Sequence, residues 1–435
     1  MNKKTVKDID VKGKKVLVRC DFNVPLDENG KITDNTRITA ALPTIKYLMD
    51  NGAKVILCSH LGRPKGEVNA KYSLKPVADE LTDLLSTDVK FANDIIGESA
   101  KQVTSSLNDG DVALLENVRF DQREEKNDDT LSMELASLSD GIYVNDAFGT
   151  AHRAHSSTEG VAHHVDEAVA GFLMQKEIEF LNGTLENPEK PFVAILGGAK
   201  VSDKIGVIEN LLDKVDEILI GGGMAYTFLK AKGFEIGDSL CEEDKIDEAE
   251  RIMKKAQEAG VKVVLPVDTV VVPTQEKTDE ELDKKEKQKR FIEYLKTAPD
   301  KVVDSDKIQK GYEGCDIGPR TARKFAEELN GKKTVLWNGP LGICEVSKFS
   351  VGTEKVAEAI AKTNATSIVG GGDSVAAIKK LGLDDKFTHI STGGGASLEL
   401  LEGKALPGLV CLTNRDWTLG TFLKVHKEYK NRYFR

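Results

Sequence analysis

We predict an α/β protein with two doubly wound, Rossmann-like parallel-sheet domains. Short apolar runs rich in Val, Ile and Leu recur along the chain, separated by segments with helical spacing of apolar residues. Apolar runs without strict alternation are typical of strands buried on both faces, and the intervening helices make the connections parallel crossovers. The runs fall into two sets separated by a helical segment, which predicts two sheets.

The two sets follow one another in the sequence. The first set comprises the runs at 14–20, 53–60, 111–117 and 141–146. The second comprises those at 192–198, 216–223, 261–268, 333–340, 366–373 and 387–395. Each set predicts one parallel sheet with its own helices.

The segment between the sets predicts an interdomain helix. Apolar residues from Phe172 to Leu185 recur at helical spacing, and the sequence NPEKP at 187–191 ends the helix, because proline disfavours helical backbone in the preceding residue. The predicted organisation is a first domain at 1–172, an interdomain helix and linker at 173–191, and a second domain at 192–395.

Composition excludes several classes of protein. Of the 435 residues, 40% are hydrophobic and 30% charged, which is typical of a globular protein rather than a disordered or collagen-like one. The formal net charge of −10 lacks the basic surplus of nucleic-acid-binding proteins. We therefore expect no nucleic-acid partner, and any anion site must be local.

The N-terminal sequence and the cysteines indicate a cytoplasmic protein. The first ten residues, MNKKTVKDID, contain no apolar stretch like that of a signal peptide. No uncharged apolar run reaches the length of about 18 residues that a membrane helix requires. The six cysteines are far apart and form no C-x-x-C motif, which favours reduced thiols.

Charged and imidazole side chains follow the strands of the first set. Ligands of open parallel sheets bind at the carboxyl ends of the strands, so these positions are informative. They are occupied by Arg19, Asp21, Asn23, His60, Arg63, Arg119, His152 and Arg153, with Arg37 in a turn before a helix. Guanidinium groups pair bidentately with carboxylate and phosphate. One such arginine is as well explained by a surface salt bridge, but five predict a small polyanionic ligand.

Glycine takes the corresponding positions in the second set. The glycine runs are at 197–198, 221–223, 370–372 and 393–395. Without a Cβ, such turns let backbone N–H groups approach phosphate oxygens, and a following helix N-terminus adds a favourable dipole. A single run is equally explained by tight strand-to-helix packing. Four runs, one followed by Lys200 and Lys204, predict a nucleotide-phosphate site.

Other nucleotide motifs are absent from the sequence. No G-x-x-x-x-G-K-[ST] occurs, and Tyr226, Val375 and Leu398 interrupt the possible G-x-G-x-x-G patterns. The sequence DFN at 21–23 is not DFG, and no H-R-D occurs, so the protein-kinase set is missing. The missing dinucleotide fingerprint disfavours a dehydrogenase.

Longer motifs make the sequence resemble the phosphoglycerate kinase family. They are RCDFNVP, GAKVILCSHLGRPKG, LLENVRF, YVNDAFGTAHRAHSS, AILGGAKVSDKI, IGGGMAYTFLK, LWNGPLG, GGGDS and STGGGASLELLEGKALPG, in order from about residue 5 to 410. The resemblance implies an acid-substrate domain followed by a Mg-nucleotide domain. It also implies a return segment at 396–410 that leads back to the first domain.

The resemblance also implies which residues bind each ligand. For 3-phosphoglycerate they are Asp21, Asn23, Arg37, His60, Arg63, Arg119 and Arg153. For the nucleotide they are Gly198, Lys200, Lys204, Gly221, Gly222, Asn338, Pro340, Glu345, Gly371, Gly372, Asp373 and Ser374. Asp373 is the candidate Mg²⁺ ligand, and a helix N-cap is the competing interpretation. His60 and His152 also fit structural roles.

The implied reaction is reversible phosphoryl transfer from 1,3-bisphosphoglycerate to MgADP, giving 3-phosphoglycerate and MgATP. The acceptor carboxylate titrates at about 4 and is ionised at neutral pH, so positioning and charge stabilisation replace a general base. We assign Arg37 and Lys204 to the transferring group, helped by backbone amides at Gly371 and Gly394. Ligands on separate domains imply closure about hinges flanking 172–191 and near 391–395.

Two segments depart from the family pattern. Residues 411–435 form a basic, aromatic tail, which is open to interpretation as an amphipathic extension, an interaction peptide or the product of a shifted reading frame. The charged segment 275–290 is expected to be a solvated insert. A catalytically silent binding protein is the alternative function, but it would be expected to lack Arg37, Lys204 or Asp373. We expect a monomer that acts on small molecules and has no membrane partner.

Overall fold

The chain divides into two compact units in a computed structural model that describes residues 2–275 and 283–416. The first unit combines residues up to Glu179 with the C-terminal residues from Ala405 onward. The second unit runs from Phe180 to Lys404. The boundaries therefore lie inside the predicted interdomain helix and inside the predicted return segment.

The first unit is built on a six-stranded parallel sheet. Its strands are β1 (Lys15–Arg19), β2 (Lys54–Cys58), β3 (Val89–Phe91), β4 (Val112–Leu114), β5 (Ile142–Asn145) and β6 (Glu167–Ala170). Their order is β3-β4-β2-β1-β5-β6. Arg19 at the end of β1 lies in register with Cys58 on one side and Asn145 on the other. The strand order reverses at β1, and ligands of doubly wound sheets bind beside such a switch point.

Helices connect these strands. They are α1 (Thr36–Asp50), α2 (Lys75–Leu85), α3 (Glu98–Ser105) and α4 (Asp129–Ala136), and α5 (Phe172–Glu177) follows β6. In α1, Ile38, Ala41, Ile45 and Leu48 recur at helical spacing and are buried against the sheet core. This burial fixes the helix that carries Arg37 in its first turn.

The second unit contains a second six-stranded parallel sheet. The second unit has eleven strands among the described residues, six of which form this sheet. In chain order they are β7 (Phe192–Leu196), β8 (Glu217–Ile220), β9 (Glu235–Ile236), β10 (Lys262–Val264), β11 (Asp268–Pro273), β12 (Lys301–Asp304), β13 (Lys307–Ile308), β14 (Tyr312–Ile317), β15 (Thr334–Asn338), β16 (Thr366–Gly370) and β17 (His389–Ile390). The parallel order is β10-β8-β7-β15-β16-β17, which reverses at β7. The predicted α/β class is confirmed, and every predicted run contains a strand of the two large sheets.

Some strands were not predicted. The edge strands β3 and β6 are missing from the sequence prediction, and so are the antiparallel sheet β12-β11-β14 and the β13-β9 pair. Strand β12 is largely exposed, so it lacks the apolar run that marks a buried strand.

The helices of the second unit complete the fold. A π-helical turn at Ile178–Asn182 precedes α6 (Gly183–Glu186). The others are α7 (Ile205–Leu211), α8 (Met224–Ala231), α9 (Ile246–Glu258), α10 (Lys284–Thr297), α11 (Pro319–Glu328), α12 (Val351–Ala361), α13 (Gly372–Lys380) and α14 (Gly395–Leu401), and α15 (Pro407–Val410) belongs to the first unit. In the predicted insert 275–290, residues 283–290 are mostly exposed, and 276–282 lie outside the described residues.

The two ends of the chain meet on the first unit. Thr5 forms a parallel bridge with Ala170 of β6, and Lys3 forms an antiparallel bridge with Asn414. The ammonium group of Lys3 donates to the carbonyl of Leu412 at 2.7 Å. The predicted tail therefore begins with residues packed on the first unit, and 417–435 lie outside the described residues.

Within residues 2–275 and 283–416, no helix has both the length and the apolar character needed to cross a bilayer.

Candidate active site

The carboxyl edge of the first sheet carries a linked set of polar side chains. Arg37 donates to the carboxylate of Asp21, while its own side chain stays partly exposed. Asn23 Oδ1 accepts from the backbone N–H of Gly62 at 2.8 Å, and Arg119 Nη1 donates to the carbonyl of Gly62 at 3.0 Å. The loop after β2 thus connects side chains that follow β1 and β4.

His60 lies in this group and is almost fully buried. Its Nδ1 is 3.2 Å from Nη2 of Arg19, which is itself buried at the end of β1. Burial, followed by the positive charges of Arg19, Arg119 and Arg37, holds the pKa of His60 well below its usual value. The imidazole is therefore neutral at physiological pH.

A second histidine, which sequence reasoning missed, belongs to the same cluster. His155 is buried, and burial with the neighbouring charges of Arg119, Arg19 and Arg153 lowers its pKa to about 3. Arg153 Nε donates to His152 Nε2 at 3.2 Å. These mutual interactions place most of the predicted acid-site residues in one positive region, as a small polyanion requires.

Arg63 is the exception among the predicted acid-site residues. It is exposed on the loop after Leu61 and forms no hydrogen bond or ion pair with another described residue. Its position next to Gly62 leaves it available to a ligand, but the structure links it to the cluster only through the backbone.

In the second unit, the glycine turns interlock at the carboxyl edge of the sheet. The N–H of Gly197 donates to the carbonyl of Asn338 at 3.0 Å, and that of Gly198 donates to the carbonyl of Pro340 at 2.9 Å. A Cβ on Gly222 would lie 2.7 Å from the carbonyl oxygens of Gly198 and Pro340. These turns therefore pack too closely for any other residue at Gly222. Gly221, the residue before it, is buried against Leu341.

Lys204 and Asn338 join the segment after β7 to the last residue of β15. The ammonium group of Lys204 donates to Oδ1 of Asn338, and both side chains are buried. Burial lowers the pKa of Lys204 to about 8. The result is a cation at the switch point of the sheet with a single described hydrogen-bond acceptor.

The turn after β16 leads directly into α13. Gly371 adopts φ +94°, and a Cβ there would lie 3.3 Å from the backbone nitrogen of Gly339. Ser374 is buried, and its hydroxyl has no hydrogen-bond partner among the described residues. Buried hydroxyl groups are normally paired, so Ser374 keeps an unused hydrogen-bonding group in the first turn of α13.

The remaining predicted nucleotide residues are more open. Lys200, Glu345, Gly372 and Asp373 are exposed, and Gly394 adopts φ +51° with open space around its Cβ position. No group of three or more potential metal-ligating residues occurs among residues 2–275 and 283–416. The single carboxylate of Asp373 fits Mg²⁺ that takes its other ligands from nucleotide phosphates and water.

Both sheets thus present ligand-binding groups at the carboxyl ends of their strands, beside a reversal of strand order. One edge carries guanidinium and imidazole groups, and the other carries glycine turns with a buried lysine. This combination defines an α/β protein of the class that handles phosphorylated small molecules.

Comparison with known proteins gives the family. The family model described as phosphoglycerate kinase matches residues 6–404, and the chain belongs to this family. Phosphoglycerate kinases of Clostridium tetani and Clostridium novyi are 56% and 57% identical to it over 416 and 417 residues. These alignments cover 95% of this chain and 98% and 100% of the relatives.

Solved structures agree with this assignment. Phosphoglycerate kinase from Coxiella burnetii is similar with a TM-score of 0.83 at 42% identity, covering 95% of this chain and all of that one. The enzyme from Pyrococcus horikoshii OT3 has a TM-score of 0.77 at 34% identity, covering 98% and 99% of the two chains. The chain is therefore a kinase in the sense of its family, a phosphotransferase.

Proposed function

We propose that the chain transfers a phosphoryl group reversibly from 1,3-bisphosphoglycerate to ADP, giving 3-phosphoglycerate and ATP in glycolysis. The observation that carries the proposal is that the carboxyl edges of the two sheets in this family member carry different chemical groups. One edge is cationic and suits a small phosphorylated acid, while the other is lined by backbone amides and suits a nucleotide.

The acid substrate is assigned to the first unit. Its ligands are Asp21, Asn23, Arg37, His60, Arg63, Arg119 and Arg153. Guanidinium groups pair with phosphate and carboxylate oxygens, and neutral His60 adds a hydrogen-bond donor. Asp21 is an acceptor, so we assign it to the 2-hydroxyl group of the substrate and to holding Arg37.

The nucleotide is assigned to the second unit. Gly198, Lys200, Gly221, Gly222, Asn338, Pro340 and Glu345 form the proposed nucleotide site, with Lys204, Gly371, Gly372, Asp373 and Ser374 at the phosphates. The position of Ser374 in the first turn of α13, where a helix N-terminus faces a phosphate favourably, supports this assignment. Asp373 would hold Mg²⁺, which when bound neutralises charge on the phosphate oxygens.

The chemistry requires positioning rather than a base. In the direction of ATP consumption, the nucleophile is the carboxylate of 3-phosphoglycerate, which is ionised at neutral pH. Arg37 and Lys204 are proposed to stabilise the transferring phosphoryl group, together with backbone N–H groups at Gly371 and Gly394. Because the two ligands bind different units, transfer requires hinge closure that brings the reacting oxygens together and excludes water.

A coupled assay tests this function. The full chain, incubated with 1,3-bisphosphoglycerate, ADP and Mg²⁺, is expected to form ATP, and with 3-phosphoglycerate and ATP it is expected to run the reverse reaction. Calorimetry with each ligand alone separates the alternatives. Binding of both ligands without turnover would instead identify a catalytically silent binding protein.

The proposed hinge closure is tested by solution scattering, in which the protein with both substrates bound should be more compact. We also propose that the protein is cytoplasmic and monomeric. Light scattering measures its oligomeric state.

A further inference from the structure

Arg19 is a fully buried cation beneath the acid site, and its hydrogen bonds are all to buried groups. It is the last residue of β1 and is 1% exposed. Its Nε donates to Ser157 Oγ at 2.8 Å, and Nη1 donates to the carbonyl of Cys20. Its Nη2 lies 3.2 Å from Nδ1 of His60. A guanidinium so enclosed cannot itself bind a ligand in the open part of the site.

The contact with His60 determines where the imidazole proton lies. Arginine has five donors and no acceptor, so His60 Nδ1 must accept in this hydrogen bond. A neutral imidazole carries one proton, which is then on Nε2. In this tautomer, Nε2–H is the donor that an anionic ligand needs.

The charge of Arg19 has a buried counterpart. Glu124 is 0% exposed, and its two carboxylate oxygens accept from the N–H of Ser157 at 2.9 Å and from Ser157 Oγ at 2.5 Å. The Ser157 hydroxyl therefore donates to Glu124 and accepts from Arg19. Burial raises the pKa of Glu124, while the positive charge of Arg19 and the two hydrogen bonds from Ser157 favour its ionised form.

We propose that Arg19 is a positioning residue, which fixes His60 as the neutral Nε2–H tautomer, and that Glu124 holds Arg19 in place through Ser157. The proposal rests on the proposed function in one respect, since the ligand that His60 serves is the acid substrate. Glu124, Ser157, Arg19 and His60 then act as a continuous buried chain that ends at the substrate.

The surroundings of His60 support a neutral ring. The charged or titratable groups that act on it are Arg19 from β1, Arg37 from α1, Arg119 from the turn after β4 and His155 from the loop after β5. These four groups are cations or imidazoles, and each disfavours an imidazolium at His60, while the carboxylates of Asp21 and Glu124 are engaged by Arg37 and Ser157. A neutral donor that does not titrate near pH 7 would keep its hydrogen bond to the substrate across the physiological range.

Histidine ¹⁵N NMR on the full, ligand-free chain tests the tautomer directly. The His60 ring is assigned by its absence from the spectrum of a His60→Gln variant. We expect one pyrrole-type nitrogen at Nε2 and one pyridine-type nitrogen at Nδ1, unchanged between pH 6 and 8. A protonated Nδ1, or an imidazolium in this range, would overturn the proposal without any need for a further variant.

Variants test whether the contact with Arg19 causes the Nε2–H tautomer of His60. Arg19→Met removes the donor and should give mixed tautomers at His60, whereas Arg19→Lys keeps a donor and should restore the Nε2–H form in part. Unchanged ring shifts in a folded Arg19→Met protein would overturn the proposal. If that variant does not fold, the comparison is between Ser157→Ala and its neighbour Ser156→Ala, whose hydroxyl donates to the carbonyls of Arg123 and Asp128 instead.

Kinetics connect the tautomer with the acid substrate. Ser157→Ala should raise KM for 3-phosphoglycerate by about threefold to tenfold with KM for ATP unchanged, because a hydrogen bond that orients a charged group is weakened. Ser156→Ala should change neither value. Equal KM values in the two variants would overturn the role of Ser157. An inactive wild-type chain would contradict the proposed function, while the NMR result would still decide the tautomer.

Discussion

The buried ammonium group of Lys204 donates to the side-chain oxygen of Asn338, and this hydrogen bond joins the segment after β7 to the last residue of β15. The two strands are adjacent in the sheet, and β7 is where the strand order reverses. A cation held at this point lies where doubly wound folds bind phosphate groups. Its protonation state therefore bears on the proposed reaction.

We predict that kcat/KM for the nucleotide falls as pH rises above about 8. Burial lowers the pKa of Lys204 to about 8, so the free enzyme loses the ammonium charge above that pH. Because kcat/KM reports the free enzyme, the pH profile should show this group. Lys204→Arg should move the fall to higher pH, since guanidinium stays protonated. The partly exposed Lys214, replaced by Arg, is the control and should leave the profile unchanged.

The lowered pKa of Lys204 also makes the free energy of unfolding depend on pH. The folded-state pKa of about 8 is below the ordinary value of 10.5, so the unfolded chain binds more protons between these values. Lys204 therefore contributes a rise in the free energy of unfolding as pH increases from about 8 to 10.5. Urea unfolding of the wild-type chain and Lys204→Met over this range measures the difference. A wild-type profile parallel to that of Lys204→Met would contradict the shift.

We predict that Arg37→Ala lowers kcat by at least about 10²-fold and leaves nucleotide affinity nearly intact. Arg37 is partly exposed and pairs with Asp21, so its loss should not unfold the first unit. Steady-state kinetics with calorimetry for ATP measure both quantities. Arg123→Ala, which removes an arginine paired with Asp121 and Glu134 in the same unit, should retain kcat. Full turnover by Arg37→Ala would remove Arg37 from the mechanism.

We predict that Gly222→Ala impairs nucleotide binding beyond its effect on stability. Gly222 adopts φ +69°, and the added Cβ would meet carbonyl oxygens of two other turns at 2.7 Å. Gly233 is the matched control, because it has φ +81° and nothing within 4 Å of its Cβ position. Both variants should lose about 1 to 2 kcal/mol of unfolding free energy from the left-handed backbone, and Gly222→Ala should lose more because its Cβ meets backbone atoms of the other turns.

Only Gly222→Ala should also weaken binding of the nucleotide, by about tenfold or more, with binding of 3-phosphoglycerate unchanged. Calorimetry with each ligand separately makes the comparison. Similar nucleotide affinity in the two variants would mean that the interlocked turns do not form the nucleotide site.

The sequence predicts the central strands of each sheet well and the edges poorly. Strands such as β1 and β7 are buried on both faces, so they appear as continuous apolar runs. The edge strand β3 has three residues and only Val89 is buried, so its sequence carries little signal. The antiparallel strand β12 is mostly exposed and owes its place to pairing with β11, which the local sequence does not encode.

The residues of the candidate site could also be predicted only in part from the sequence. Residues at strand ends, such as Asp21 and His60, follow from the position of the strands. Glu124 does not, because it stands in the charged sequence DQREEK, which is typical of a solvated segment. Its burial depends on Ser157, which is distant in sequence. Arg19 did indicate that a buried acceptor such as Glu124 must exist, because an arginine at the end of a buried strand requires a buried partner.

The C-terminal residues 411–416 give the last prediction, because they add backbone hydrogen bonds beside β6. The N–H of Thr413 donates to the carbonyl of Ala168, and the N–H of Lys4 donates to the carbonyl of Thr413, both at 2.8 Å. Leu412 is fully buried, and its carbonyl accepts from the ammonium group of Lys3. The N-terminal segment and residues 411–416 thus both bond β6 and bond each other.

We predict that a chain ending at Asp416 keeps these interactions, whereas a chain ending at Val410 loses them. Each lost hydrogen bond costs about 1 kcal/mol, and exposure of Leu412 costs about 2 kcal/mol more, so the shorter chain should lose at least about 3 kcal/mol of unfolding free energy. Lys3 would also remain buried with fewer acceptors. Urea unfolding and the coupled ATP assay on both chains measure the effect. Equal stability would show that residues 411–416 are not part of the fold of the first unit, and the docking of the C-terminus would then have to be abandoned.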